Sequence, residues 1–142
     1  MKRIIVATDG SPGANRAVDA AANLAKATDA ELVILTIGGE ISSSELRRLA
    51  SVDGDLSKQL RAMANEILRR AGKRVRRLGL AKVKLQCEWG DPAETIIATA
   101  KREKADLLVV GRRGRSRLSG LLLGSVSQKV ASLAPCTVMV IP

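Results

Sequence analysis

Apolar residues in this 142-residue chain fall into short continuous runs separated by stretches where they recur every third or fourth position. Residues 3–8, RIIVAT, form the first run and end at Asp9-Gly10. Behind it Ala14, Ala17, Val18, Ala21, Leu24 and Ala25 repeat at helical spacing, with Ser11 to cap the helix and Pro12 for its first turn. That helix fades at Thr28-Asp29, and residues 31–37, ELVILTI, read as a second strand buried on both faces. Strand, helix and strand with short joints make a right-handed βαβ unit. Residues 38–54 support either a short helix capped by Ser42-Ser43-Ser44-Glu45 or an irregular loop.

Residues 55–78 predict a long helix whose apolar stripe is Leu56, Leu60, Met63, Ile67, Ala71, Val75 and Leu78. Lys58, Arg61, Arg69, Arg70, Lys73, Arg76 and Arg77 occupy its opposite face, and Gly79 is its stop. Residues 83–89 alternate Val83, Leu85, Cys87 and Trp89 with Lys84, Gln86 and Glu88, the pattern of a half-exposed edge strand. Asp91, Pro92 and Glu94 open the next helix as cap, first-turn proline and capping-box partner. Residues 106–110 are a fourth strand. Ser125 with Gln128 predicts a second capping box, on a helix that turns Val126, Val130 and Leu133 inward and ends at Pro135. Thr137 to Ile141, TVMVI, is the last strand. Five strands alternating with four clear helices are the signature of an α/β fold, a parallel sheet covered on both faces.

Length and an apolar content of 46% suit one domain over residues 1–142 with a real core. No apolar run approaches the ~20 residues that span a bilayer, and the N-terminus enters a strand at once, so a cytoplasmic location is expected. The chain lacks histidine, and Cys87 and Cys136 lie far apart, which removes zinc clusters and histidine-dependent triads. Both thiols are expected to be free and in the core. Trp89 is the only aromatic residue, so stacking platforms for single-stranded nucleic acid are excluded. The net charge of +10 is concentrated: residues 55–90 hold ten basic and three acidic residues, whereas residues 1–54 hold six and seven. That stripe is either a solvated helix face or a surface for nucleic acid or acidic partners.

The chemistry concentrates after the fourth strand. Gly111 is followed at Gly114 and then, after nine residues, by Gly124-Ser125. A glycine-rich turn between a strand and a helix start directs backbone N–H groups at one point, where they favour an anion. In an open parallel sheet, ligands bind beyond the carboxyl ends of the strands where the winding reverses. If the first strand is central, that reversal lies between the strands ending at Asp9 and at Gly111. The loop after the first strand is neither Gly-x-Gly-x-x-Gly nor a Walker A, and no Gly-x-Ser-x-Gly elbow is present.

Along nearly its whole length the chain resembles the universal stress protein family, single-domain type. The carrying residues are Ala7-Thr8-Asp9, Gly90-Asp91-Pro92, the spaced glycines Gly111, Gly114 and Gly124 with Ser125, and the apolar last strand. The resemblance implies a Rossmann-like, adenine nucleotide α-hydrolase-like fold with strand order 3-2-1-4-5. It also implies a homodimer through the last strand, and the glycine spacing is that of the ATP-binding branch. It would place adenine and ribose near Ala7, Thr8, Asp9 and Ile37, and the ribose and α-phosphate beside Val110 and Gly111. Gly114, Gly124, Ser125, Val126 and Ser127 would meet the phosphates. A carboxylate repels phosphates, so Asp9 is assigned to the base, the ribose or a phosphate-bound Mg2+, or else it only caps the first helix. Arg112 is counted with the site; the separate roles of Arg112, Arg113, Arg115 and Arg117 stay open.

The resulting expectation is a stress-response or regulatory protein that holds ATP with Mg2+, or else ADP or AMP, signals through an unidentified protein partner, and hydrolyses slowly or not at all. No positioned general base is evident for rapid turnover. The alternatives are a weak ATPase, a true enzyme of the α-hydrolase kind, and a basic interaction module acting through residues 69–84. An apolar edge strand at Thr137–Ile141 supports the homodimer independently, because unpaired edges aggregate unless covered.

Overall fold

The computed structural model describes residues 1–113 and 123–142. The chain runs β1 (Arg3–Ala7), α1 (Pro12–Thr28), β2 (Glu31–Ile37), α2 (Ser43–Val52), α3 (Gly54–Arg77), β3 (Val83–Glu88), α4 (Pro92–Arg102), β4 (Leu107–Gly111), α5 (Ser125–Leu133) and β5 (Thr137–Ile141). All strand pairs are parallel, in the order β3-β2-β1-β4-β5, so β3 and β5 are the edges. The expected fold class and strand order are therefore present, and the segment left open at 38–54 contains a real helix.

Alternate residues of the central strands enter two separate cores. Ile4, Val6, Leu32, Ile34, Leu107 and Val109 face α1 and α3 and meet Ala17, Ala21, Leu68 and Val75. Ile5, Val33, Leu35, Leu108 and Val110 face the other way, toward Ala93, Ile96 and Ala100 of α4 and Val130 of α5. Continuous apolar runs in β1, β2 and β4 are thus required, since neither face of these strands meets water. Cys87 packs beside the first core and Cys136 beside the second, and both are free thiols. The sheet lies between them. Partial burial pushes both thiols upward in pKa, which keeps them in the neutral form.

The helix starts follow the sequence rules. Ser11 Oγ accepts from Ala14 N–H at 3.2 Å with Pro12 in the first turn, and Ser42 Oγ accepts from Glu45 N–H at 3.1 Å. Asp53 and Asp91 do the same for Leu56 and Glu94, both at 3.0 Å. The expected capping box is only half formed, because the Glu94 carboxylate reaches Lys129 on α5 at 3.4 Å instead of returning to Asp91 N–H. Gly79 stops α3 as expected, in the left-handed region at φ +86°.

Three further expectations need correction. The buried stripe of α3 is Ser57, Ala64, Leu68, Ala71, Gly72 and Val75, whereas Leu56 and Met63 are 42% and 60% exposed. The cause is close approach: a side chain at Gly72 would stand 3.3 Å from Leu85 on β3, so small residues define the contact face. On α5, the expected inward residue Leu133 is 59% exposed, and Ser127 and Val130 are buried instead. The predicted Ser125–Gln128 capping box is absent, because Gly124 is the N-cap and Ser125 is already helical.

At the ends of β2 and β3, Trp89 covers Gly38 so closely that a Cβ there would come within 2.5 Å of the indole ring. Gly38 N–H donates to Glu88 and Gly90 N–H to Gly39, both at 2.9 Å. Trp89 is a packing residue at the end of the third strand.

The corrected α3 face predicts that Leu68→Ala costs about 2–5 kcal/mol, while Met63→Ala stays within about 0.5 kcal/mol; chemical denaturation of both variants checks this. A second prediction concerns acid. Backbone N–H groups of Lys2 and Arg3 donate to Asp106 Oδ2 at 2.7 and 2.9 Å and hold its carboxyl below the usual range. Hydrogen bonds from Arg69 and Arg70 lower Glu66 from 4.5 to about 2. Both carboxylates have folded pKa values below their unfolded ones. Their contribution is present above the ordinary carboxylate pKa and disappears as pH falls through the folded value. Stability should decline from about pH 4.5 toward pH 2, and Asp106→Asn should make the decline shallower in urea titrations across that range.

Candidate functional site

β1 and β4 are neighbours, but the chain leaves them toward opposite faces of the sheet: α1 follows β1, and α5 follows β4. Their carboxyl ends therefore part and open a crevice of about 400 Å³. Its floor is Ala7, Thr8 and Asp9 from β1, with Val110 and Gly111 from β4. One wall is the first turn of α5, through Gly124, Ser125, Val126 and Ser127. Ile37 closes the side toward β2. The volume lies within the range of small-molecule sites.

Local hydrogen bonds hold the floor in place. Thr8 is buried, and its carbonyl accepts from Thr36 Oγ1 at 2.8 Å while its Oγ1 accepts from Gly10 N–H at 3.1 Å. Asp9 Oδ1 accepts from Ser11 N–H at 2.9 Å. Ser11, not Asp9, is the cap of α1, so the reading of Asp9 as merely a helix cap is not upheld. Ser127 Oγ donates to Gly111 C=O at 2.6 Å and ties α5 back to the end of β4.

Absence of side chains permits the narrowest contacts. A Cβ on Gly111 would lie 3.2 Å from the Gly13 carbonyl, and one on Gly13 would lie 3.0 Å from the Arg113 carbonyl oxygen. The end of β4 thus runs backbone-to-backbone against the first turn of α1. Gly10 needs its glycine for another reason, a left-handed φ of +80°.

Gly124 caps α5 without a side chain, so it offers no oxygen to the first-turn N–H groups, which have no intrahelical acceptor. Those groups border the crevice and carry the positive end of the helix dipole. Asp9 and Arg113 are the only ionisable side chains among the described lining residues. The side toward β2 and α4 is apolar: Leu35, Ile37, Pro92 and Ile96 line it. An anion-attracting wall and an apolar side in one crevice suit a ligand with a flat apolar part and a charged part.

A model described as the universal stress protein family matches residues 1–142. The chain belongs to the universal stress protein family. Universal stress protein YxiE of Bacillus subtilis (strain 168) is 34% identical over 145 residues, covering 98% of this chain and 97% of that one. A universal stress protein solved in complex with cAMP is 31% identical, with a TM-score of 0.73 over 99% of this chain and 96% of that chain. Universal stress protein UspA from Lactobacillus plantarum is 28% identical, with a TM-score of 0.84 over 99% of this chain and 97% of that chain. The universal stress protein fold therefore extends along this chain. None of its helices, among the described residues, is long and apolar enough to cross a membrane.

Ala7, Thr8, Asp9, Ile37, Val110, Gly111, Gly124, Ser125, Val126 and Ser127 all border the crevice. Arg112 is exposed and outside the lining, whereas Arg113 is within it. Gly114, Arg115 and Arg117 lie outside the described residues. Sequence reasoning missed Ala14, Leu35, Pro92, Ile96, Leu123 and Gln128. One signal was available for Pro92 and Ile96. Right-handed crossovers put α4 on the same face as α5, so the start of α4 had to flank the crevice.

The basic stripe of α3 is exposed throughout, and Arg69, Arg70, Lys73 and Arg77 border a polar groove with Gly10 and Asn15 that shares no lining residue with the crevice. Part of its charge is matched within the chain: Arg69 and Arg70 bind Glu66 at 2.7 and 2.9 Å, and Arg74 binds Asp19 through two hydrogen bonds.

The Gly111–Gly13 contact predicts a specific cost. Gly111→Ala must push backbone against backbone, and should destabilise the protein by about 1–3 kcal/mol, visible as a lower thermal unfolding midpoint. Gly54→Ala, where a Cβ meets nothing within 4 Å, should not lower it and is the control.

Proposed function

We propose that this chain is a single nucleotide-binding domain that holds an adenine nucleotide, ATP with Mg2+, in the crevice between β1 and β4. The observation that carries the reading is the uncapped N-terminus of α5 facing the end of β4 across a crevice whose side toward β2 and α4 is apolar. Adenine fits the side of Leu35, Ile37, Pro92 and Ile96, and the phosphates fit the N–H groups of α5. The relative in complex with cAMP, 31% identical, supports the nucleotide class. The dipole itself contributes only about 0.3–1 kcal/mol at an exposed site, so direct N–H contacts supply most of the phosphate affinity.

The donor set fits Mg2+ in one limited way. Asp9 is the one carboxylate among the described lining residues, and those residues contain no cluster of three metal-ligating side chains. Mg2+ characteristically keeps phosphate and water ligands and takes one or two carboxylates, so Asp9 would hold a cation that arrives on the nucleotide. The chain has no histidine, and the described lining has no second carboxylate to activate a water. The function proposed is retention of the nucleotide in a stress-response or regulatory role, with slow hydrolysis at most.

The edge strand β5 supports a homodimer. Val138, Met139, Val140 and Ile141 are only partly buried, and β4 covers one edge alone. Pairing with a second β5 would cover the other edge under two-fold symmetry. Light scattering is expected to give twice the 15.0 kDa chain mass at micromolar concentration; a monomer there would refute the dimer.

Calorimetry with ATP and Mg2+ tests the nucleotide reading. The wild type should bind, and Gly114→Val should bind at least about tenfold more weakly, since a β-branched side chain crowds any phosphate that the glycine loop receives. A silent wild type overturns the reading. Unchanged affinity in the variant moves the phosphates away from the glycine loop.

A further inference from the structure

Arg113 follows β4 by two residues, and its backbone is wedged between two helix starts. Its carbonyl oxygen would be 3.0 Å from a Cβ on Gly13, in the first turn of α1. Its Cα would be 3.5 Å from a Cβ on Gly124, the N-cap of α5. The two positive dipole ends and a guanidinium therefore meet at one mouth of the crevice. The side chain lines that crevice, and its Nε is buried with no hydrogen-bond partner among the described residues. Five other arginines differ: Arg3, Arg16, Arg69, Arg70 and Arg74 place Nε on an oxygen at 3.0 Å or less.

A buried cationic donor without an acceptor is costly, and placing it beside two helix N-termini increases the cost. Such a group persists where function supplies the missing acceptor. Asp9 is the only carboxylate among the described lining residues, and its Oδ1 already accepts from Ser11 N–H. The acceptor that fits is an anionic oxygen entering the crevice from outside the chain. Guanidinium is suited to this, because its planar fork meets phosphate oxygens in pairs.

We infer that Arg113 is the side-chain phosphate anchor of the crevice: its guanidinium binds the phosphate of the nucleotide, beside the N–H groups of α5. The assignment rests on the adenine-nucleotide reading and adds to it a side chain that, with the N–H groups of α5, discriminates nucleotide from nucleoside. Arg112, next along the chain, has a different task. Its backbone N–H donates to Ile141 C=O at 2.6 Å and its C=O accepts from Gly124 N–H at 2.8 Å, so it fastens the loop while its side chain stays in solvent.

Calorimetry with ATP–Mg2+, AMP and adenosine on wild type, Arg113→Gln and Arg113→Lys tests the assignment. Arg113→Gln should weaken ATP and AMP roughly 10- to 100-fold, the scale of a lost charge-assisted bond, and leave adenosine within about twofold. Arg113→Lys keeps the charge and loses the fork, so its phosphate affinity should fall between the two. Raising salt should weaken ATP binding to wild type more steeply than to Arg113→Gln. Unchanged ATP affinity in Arg113→Gln overturns the assignment, as does an equal loss for adenosine, which would make Arg113 a packing residue. A wild type that binds none of the three ligands refutes the nucleotide reading itself. Should Arg113→Gln fail to fold, wild-type ATP affinity that ignores salt would overturn the assignment.

Discussion

Direct parallel pairing of β1 with β4 is the constraint on which the rest of the structure depends. Ile4 lies against Leu107 and Val6 against Val109, although 103 positions of sequence separate each pair. The pairing requires strands without a polar face, because each is covered above and below. It sends the following helices to opposite sides, and that divergence makes the crevice. The same pairing brings Gly111 onto Gly13, so the end of β4 and the first turn of α1 share one glycine-to-glycine contact. Fold and site are in this sense one arrangement: a residue that separated β4 from α1 would act on both.

The parts of this structure that were legible in the sequence are those governed by local rules. Ser11-Pro12 and Asp91-Pro92 announce helix starts because capping is decided within four residues. The strands of the centre announce themselves by lacking polar positions. What the sequence conceals are contacts set by distance between elements. Gly72 and Ala64 line the buried face of α3 because the helix lies close to the sheet, and larger apolar residues are left outside. Ser125 misleads for a related reason. Its hydroxyl suits a cap, but Gly124 takes that position, where its N–H can reach the carbonyl of Arg112. The polar half of the crevice could be read from glycine spacing, whereas its apolar half draws on β2 and α4, which no linear motif connects.

Charge is distributed by role. The exposed cations of α3 partly satisfy one another's acids in surface pairs, each worth about 0–1 kcal/mol, and serve solubility more than stability. Arg113 stands apart, with a buried Nε that finds no acceptor among the described residues. Two arginines adjacent in sequence thus carry unlike burdens, one through its backbone and the other through its side chain. A basic composition alone would not have separated them.

Trp89, packed over Gly38 where β2 and β3 end, is the single aromatic residue of a chain with no tyrosine and no phenylalanine. Intrinsic fluorescence of this protein is therefore the report of one corner. Its emission follows the joint between two strand ends, between lining residues Ile37 and Pro92 in the chain, and says nothing directly about β5 or α1. Agreement between that signal and far-ultraviolet circular dichroism during unfolding would mean that the corner and the body melt together. A fluorescence change that precedes the loss of helix would instead mark the β2–β3 end as a cooperative unit of its own.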